Sequence, residues 1–157
     1  RAIFAIVTAR LNFDDGTLFG QPHQVERNVP RTEKLVNFGK IVGKTLIPQY
    51  TYARIYKNGS DLKIHSDRPE CQYSVTICLG GDYEKQWPIW INDYAGKSHE
   101  IPLDVGDMVV YHGTELEHWR DKFEGNMQYQ PFMHYVDSEG EFKDRVFDCR
   151  PNLGLQK

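Results

Sequence analysis

The sequence predicts a mainly β fold: a jelly roll of about eight strands with one N-terminal helix packed outside it. Three observations carry this. Downstream of Pro48, short segments rich in Tyr, Ile, Val and Trp recur, separated by turn residues. Only residues 32–46 show a helical period. At 157 residues, 39% of them hydrophobic and 13% aromatic, the chain has the size of one domain and enough apolar matter for a real core. A lone sheet of this composition would leave an aromatic-rich face in water, so two packed sheets are expected.

The elements follow in order. Residues 2–11 are apolar and β-branched enough for a first strand, and residues 12–30 are polar, without a period, and read as a long loop. In the helix, Leu35, Phe38, Ile41, Val42, Thr45 and Leu46 share one face, and Pro48 is the expected stop. Eight strands are then predicted, over residues 51–57, 62–66, 72–79, 88–92, 98–101, 108–112, 117–122 and 127–136. The breaks hold Asn58-Gly59, Gly80-Gly81-Asp82, Tyr94-Ala95-Gly96, Val105-Gly106-Asp107 and Glu124-Gly125-Asn126, all turn chemistry. No linker divides the chain, so residues 1–157 are expected to form a single domain with its core in residues 50–137.

Composition narrows the function. A net charge of −3 argues against nucleic acid or an anionic membrane surface as a partner, because both require a cationic surplus. No apolar run approaches a bilayer-spanning length, and no leader pattern is seen, so a cytoplasmic location is expected. Three cysteines without a CxxC spacing, Cys71, Cys78 and Cys149, suit reduced thiols. The stretch from Gly39 to Thr45 is one residue short of a phosphate-binding loop and sits late in the helix. Asn58-Gly59-Ser60 is formally a glycosylation sequon, but Asn-Gly between two strands is a hairpin turn.

The informative stretch is Leu62-Lys63-Ile64-His65-Ser66-Asp67. Residues i and i+2 of a strand point the same way, so His65 and Asp67 can meet at one point. An imidazole and a carboxylate are two-thirds of a facial triad for non-heme Fe(II), which leaves three metal positions open. The third ligand must come from far along the chain. His118 opens a strand after a tight loop and is the expected partner; His112 ends the preceding strand and is its competitor. His23 and His99 lie in polar surroundings and read as exposed, and His134 reads as a packed or hydrogen-bonded strand histidine.

From Tyr50 to Asp137 the chain resembles the Fe(II)/2-oxoglutarate-dependent dioxygenase superfamily, in its prolyl 4-hydroxylase-type branch. The residues that carry the resemblance are Tyr56, Asn58-Gly59, Leu62, His65, Asp67, Ser74, Leu79, Gly106-Asp107 and His118. It implies a double-stranded β-helix, an Fe(II) centre on His65, Asp67 and His118, and 2-oxoglutarate and O2 as co-substrates with ascorbate as a reductant. It also implies a hydroxylation that releases succinate and CO2, with a peptidyl proline as the first guess among protein, peptide or small-molecule substrates. Tyr56 would contact 2-oxoglutarate and Leu62 would line its pocket.

One position departs from the pattern. Where the family carries an Arg or Lys that pairs with the distal carboxylate of 2-oxoglutarate, this chain has Gln128. A neutral amide cannot make a charge-assisted bidentate pair. Arg120, two residues beyond His118 on the same strand face, is the expected substitute; Arg54, on the face of Tyr56, is the second candidate, and a surface Arg120 paired with Asp121 or Glu124 is the plain reading. Arg68 reads as a partner of Glu70, and Trp87, Trp90, Trp119, Tyr73 and Tyr111 read as sandwich core. Two other functions fit less of the sequence: a cupin-like metalloenzyme that does not use 2-oxoglutarate, and a non-catalytic β-sandwich binding module.

Overall fold

The structure, a computed structural model, describes residues 9–10 and 38–149. Ten strands are present among these residues: β1 (Ala9–Arg10), β2 (Leu46–Lys57), β3 (Leu62–His65), β4 (Tyr73–Ile77), β5 (Gly81–Asp82), β6 (Ile89–Asn92), β7 (Ser98–Ile101), β8 (Asp107–His112), β9 (His118–Arg120) and β10 (Met127–Asp137). They form two antiparallel sheets, one ordered β1-β8-β4-β10-β2 with β5 also on β10, the other ordered β3-β9-β6-β7. This is a double-stranded β-helix, or jelly roll. All eight strands predicted downstream of Pro48 are present, with ends moved by a few residues; β5 adds to them. Of the predicted first strand only Ala9–Arg10 is described, and the predicted loop 12–30 lies outside the described residues.

The helix is where the sequence reading goes wrong. Residues 38–42 are helical, while residues 32–37 lie outside the described residues. The helix stops at Gly43, which adopts φ +70°, and the Lys44 N–H returns to the Gly39 carbonyl at 2.9 Å. That is a Schellman cap, which glycine enters without steric cost. Leu46 therefore opens β2 instead of ending the helix, and Pro48 stands in that strand opposite Tyr135 instead of acting as the stop. Pro48 is tolerated there because β2 is the end strand of the described sheet.

Burial explains the layering. Phe38 packs with Leu46, Val75, Ile77, Met108, Val110 and Tyr135 on the outer face of the larger sheet, with Ile41 and Val42 against them. Between the sheets, Cys78, Val109 and Tyr111 of the larger sheet meet Ile89, Ile91 and Ile101 of the smaller one. A second interior cluster, Tyr56, Trp87, Phe123 and Phe132, closes one end. Strand β4 is thus covered on both sides: Val75 and Ile77 under the helix, Ser74 and Thr76 facing inward, all buried. Three residues depart from the predicted sandwich-core role: Trp90 and Trp119 stack on each other, 5.9 Å between ring centroids, and are only half-buried, and Tyr73, also half-buried, packs against the cluster under the helix.

The smaller sheet fixes the register that matters. In the β3–β9 pair Leu62 stands opposite Arg120 and His65 opposite His118, with a bulge between the two pairs. Across β9, Ile91 of β6 stands opposite His118 and is fully buried. Ile91→Ala should therefore cost about 2–5 kcal/mol. Urea unfolding should show it as a lower midpoint with an unchanged slope.

Candidate metal centre

His65, Asp67 and His118 converge, each offering one ligand atom within 4.8 Å of the others. His65 is the last residue of β3 and His118 the first of β9, so their cross-strand pairing sets the two rings side by side, 4.3 Å between centroids. His65 Nδ1 lies 2.7 Å from the Lys63 carbonyl and His118 Nδ1 2.9 Å from the Leu116 carbonyl. A carbonyl can only accept, so in both rings Nδ1 carries the hydrogen and Nε2 keeps its lone pair. Both Nε2 atoms face Asp67 Oδ1, at 3.7 Å from His65 and 3.6 Å from His118. Backbone carbonyls that fix the imidazole tautomer in this way are the usual outer support of a metal site.

Asp67 lies just past the end of β3, where its N–H donates to the Gly113 carbonyl at 2.8 Å and keeps the extended path going. Its second oxygen, Oδ2, accepts from Ser74 Oγ at 2.8 Å. Gly113 permits this approach, since a methyl there would come within 2.4 Å of Asp67 Oδ2 and 2.8 Å of Ser74 Oγ. Burial alone would push the Asp67 carboxyl up, but His118 in its protonated form, the hydrogen bond from Ser74 and the nearby His134 hold it below its ordinary value. The site is graded in exposure: the side chain of His118 is 2% accessible, Asp67 16% and His65 36%, so the opening lies on the His65 side.

Further inside is Arg120, 2% exposed. Its Nη1 donates to the Trp87 carbonyl and its guanidinium lies 4.9 Å from the Trp87 ring centroid. Nε and Nη2 are buried with no hydrogen-bond partner. Burial pulls its pKa down to about 10, against neighbouring tyrosines and Cys78 that would raise it. The plain reading, a surface Arg120 paired with Asp121 or Glu124, is excluded by that burial. Tyr56 Oη is also buried without hydrogen-bonding geometry to any group, although Arg54 lies in its neighbourhood. Leu62, half-buried, stands across the strand pair from Arg120. Gln128 is buried but committed elsewhere: its Nε2 donates to Gln130 Oε1 at 2.8 Å, and Gln130 Nε2 to Thr76 Oγ1 at 2.6 Å. Arg54 is exposed and lies over the Tyr52 ring, 5.4 Å from its centroid.

The remaining sequence candidates fall away from the centre. His112 stands between Glu115, at 3.6 Å, and Thr114, outside the ligand group. His99 is half-buried and paired with Asp93 at 2.8 Å, more enclosed than the sequence reading held; His23 lies outside the described residues. Arg68 meets Asp148 at 2.7 Å, a closer partner than the expected Glu70 at 3.9 Å. Cys71, Cys78 and Cys149 are all free thiols, the first two buried. Among the described residues no helix is long and apolar enough to cross a membrane. Sequence reasoning named Ser74 without a role and left out Gly113. The available signal was polar alternation in otherwise apolar strands, Ser74 with Thr76 and Gln128 with Gln130, which marks a polar inner face.

No protein-family model matches the chain, and no curated protein does. Solved structures do match. An oxidoreductase of the 2OG-Fe(II) oxygenase family from Burkholderia pseudomallei aligns with a TM-score of 0.60 at 15% identity, over 68% of this chain and 53% of that one. A Pseudomonas putida prolyl-4-hydroxylase aligns with a TM-score of 0.52 at 17% identity, over 65% and 58%. A 3'-monoepimerase from Streptomyces bikiniensis, in complex with dTDP, aligns with a TM-score of 0.50 at 12% identity, over 68% and 54%. The chain spans little more than half the length of each. At these identities the likeness is one of fold: the chain has the fold of 2OG-Fe(II) oxygenases and of a prolyl-4-hydroxylase, and it shares that fold with an epimerase.

The buried imidazole of His134 makes a prediction about acid stability. Burial pushes its pKa down from 6.5 to about 4. Between these values the unfolded chain binds a proton that the folded chain refuses, so stability falls as pH falls from about 6.5 to 4. The loss from this residue should be on the order of 2–3 kcal/mol. Asp67, held below 3.8, gives stability that is lost only beneath this window. Urea midpoints of the metal-free protein across the window should show the slope. His134→Asn, which does not titrate, should flatten it, leaving the part due to His112, which burial also holds low.

Proposed function

We propose that the chain is an Fe(II)- and 2-oxoglutarate-dependent oxygenase that hydroxylates its substrate with release of succinate and CO2. The observation that carries this reading lies on β9. His118 faces Asp67 and His65 with a free Nε2, and two residues further on Arg120 is a buried cation with two N–H groups lacking partners. A buried charge without a counter-charge is costly unless a ligand supplies one. Residues two apart on a strand stand about 6–7 Å apart, so one strand can serve both ends of a small diacid.

Under this reading His65, Asp67 and His118 hold the iron, and Arg120 pairs with the distal carboxylate of 2-oxoglutarate. Tyr56 Oη is a second donor to that carboxylate, and Leu62 covers its apolar stem. Gln128 acts at one remove, keeping Gln130 and Thr76 in place. Bound there, iron and 2-oxoglutarate supply the oxidative chemistry; the protein supplies ligand geometry, orientation and exclusion of water from the inner end of the pocket. An Asp at the carboxylate position, where a halogenating relative would need a small residue, favours hydroxylation. The prolyl-4-hydroxylase among the fold neighbours makes a peptidyl proline the first substrate to try.

Anaerobic titration with Fe(II) and 2-oxoglutarate tests the reading. It should produce a weak visible charge-transfer band that is absent from His65→Ala, Asp67→Ala and His118→Ala but retained by His112→Ala. Metal binding without any 2-oxoglutarate dependence would favour the cupin-like alternative, and no metal binding at all the non-catalytic module.

Arg120 gives a separate prediction. Arg120→Ala should raise the 2-oxoglutarate dissociation constant about a hundredfold or more, since truncating one partner of such a pair costs about 3–5 kcal/mol. Its metal affinity should be unchanged, and Gln128→Ala should shift the same constant only a few-fold. Arg120→Met should lose 2-oxoglutarate yet unfold at a higher temperature than the ligand-free parent, because an apolar side chain replaces an uncompensated charge. An unchanged constant in Arg120→Ala would move the clamp to Arg54.

A further inference from the structure

We propose that His134 is a positioning residue of the metal centre, acting through Ser74 on Asp67. The inference rests on the reading of His65, Asp67 and His118 as a ligand set. Asp67 Oδ2, at 2.8 Å, and the Cys71 carbonyl, at 3.2 Å, can both only accept, and the single hydrogen of Ser74 is directed to the nearer, charged carboxylate oxygen. Ser74 Oγ lies 2.9 Å from His134 Nδ1 and must then accept, which places the imidazole hydrogen on Nδ1. Ser74 is 0% and His134 4% exposed, so neither can exchange its partner for water. The opposite tautomer would put an N–H on Nε2, which is buried with no partner, and would leave an unpaired donor inside the protein. The ring has little freedom to turn away, held against Tyr50 at 4.6 Å and stacked with Tyr52 at 5.6 Å between centroids.

The relay has a chemical consequence. With Oδ2 committed to Ser74, Asp67 presents a single oxygen, Oδ1, and that is the atom facing both histidines. The carboxylate therefore binds a metal through one oxygen, which preserves the number of open positions that a facial triad needs. Asp67, Cys71 and His134 also bring ligand-type atoms within 4.8 Å of one another. That cluster is not a second ion site. The Ser74 hydroxyl already stands between them, donating to Asp67 Oδ2 and accepting from His134 Nδ1, with the Cys71 carbonyl 3.2 Å away.

Co(II) is the probe, with affinity read by competition against a chromophoric chelator and coordination read from its d–d absorption. Ser74→Ala should weaken Co(II) on the order of 10–100-fold, the usual effect of removing an outer partner of a ligand. It should also change the d–d spectrum toward a higher coordination number, because the released Oδ2 becomes a second donor. His134→Leu should weaken binding about tenfold, whereas His134→Asn, which keeps an N–H donor near the Nδ1 position, should stay within about threefold of the parent. Should Ser74→Ala fail to fold, as judged by metal-free thermal unfolding, the Leu and Asn variants at position 134 decide the matter. Unchanged Co(II) affinity in Ser74→Ala and His134→Leu, with His118→Ala defective, overturns this inference and leaves the ligand set standing. So does an Asn variant no better than Leu with an unaltered spectrum, the signature of a purely structural role. A parent protein that binds Co(II) no better than His118→Ala overturns both.

Discussion

The pairing of β3 with β9 is the constraint on which the site depends. It sets His65 against His118 and Leu62 against Arg120, with a bulge absorbing the extra residue between the two pairs. A register slip of one residue would turn every side chain of β9 to the other face, removing His118 and Arg120 from the interior together. The register is secured from the far side, where Ile91 stands opposite His118 and Trp90 opposite Trp119 in the β6–β9 pair. The apolar packing of the smaller sheet and the geometry of its polar centre thus have one cause.

The same strand carries two kinds of polar group that the fold treats differently. His118 is satisfied on one nitrogen by a carbonyl two residues away, so its other nitrogen is presented without a mobile element having to close. Arg120 is held by one carbonyl and an aromatic face, while two of its N–H groups are left without partners. A fold selected for stability alone would place an apolar side chain there. That Arg120 is buried and incompletely paired is a local cost to stability, one that the proposed ligand would offset.

Much of this was legible in the sequence, for physical reasons that differ by element. The eight predicted strands were marked by β-branched and aromatic runs between Gly- and Asn-containing turns, signals that act over a few residues. His65 and Asp67 were readable because i, i+2 geometry holds even where the strand is ending. His118 could be preferred over His112 because it opens the returning strand. The helix end was misread because Leu46 continues the apolar pattern past a glycine whose left-handed conformation breaks it, and periodicity does not register backbone handedness. The Ser74–His134 contact, between residues sixty apart, was beyond reach because it depends on the β4–β10 register, in which His134 stands opposite Ser74. Gly113 was beyond reach for the same reason: its close approach to Asp67 is a tertiary event that no local pattern records.

Strand β4 shows what this arrangement means for how the protein can vary. Its inward residues support the Asp67 carboxylate and the glutamine chain, and its outward residues support the helix. A substitution on either face shifts a backbone shared by both, so drift at Val75 or Ile77 would be felt at Ser74 and Thr76. Such a strand has almost no neutral neighbours in sequence space. Variation would therefore be channelled to exposed positions that bear on neither face of β4, such as Ile55 and Ile64.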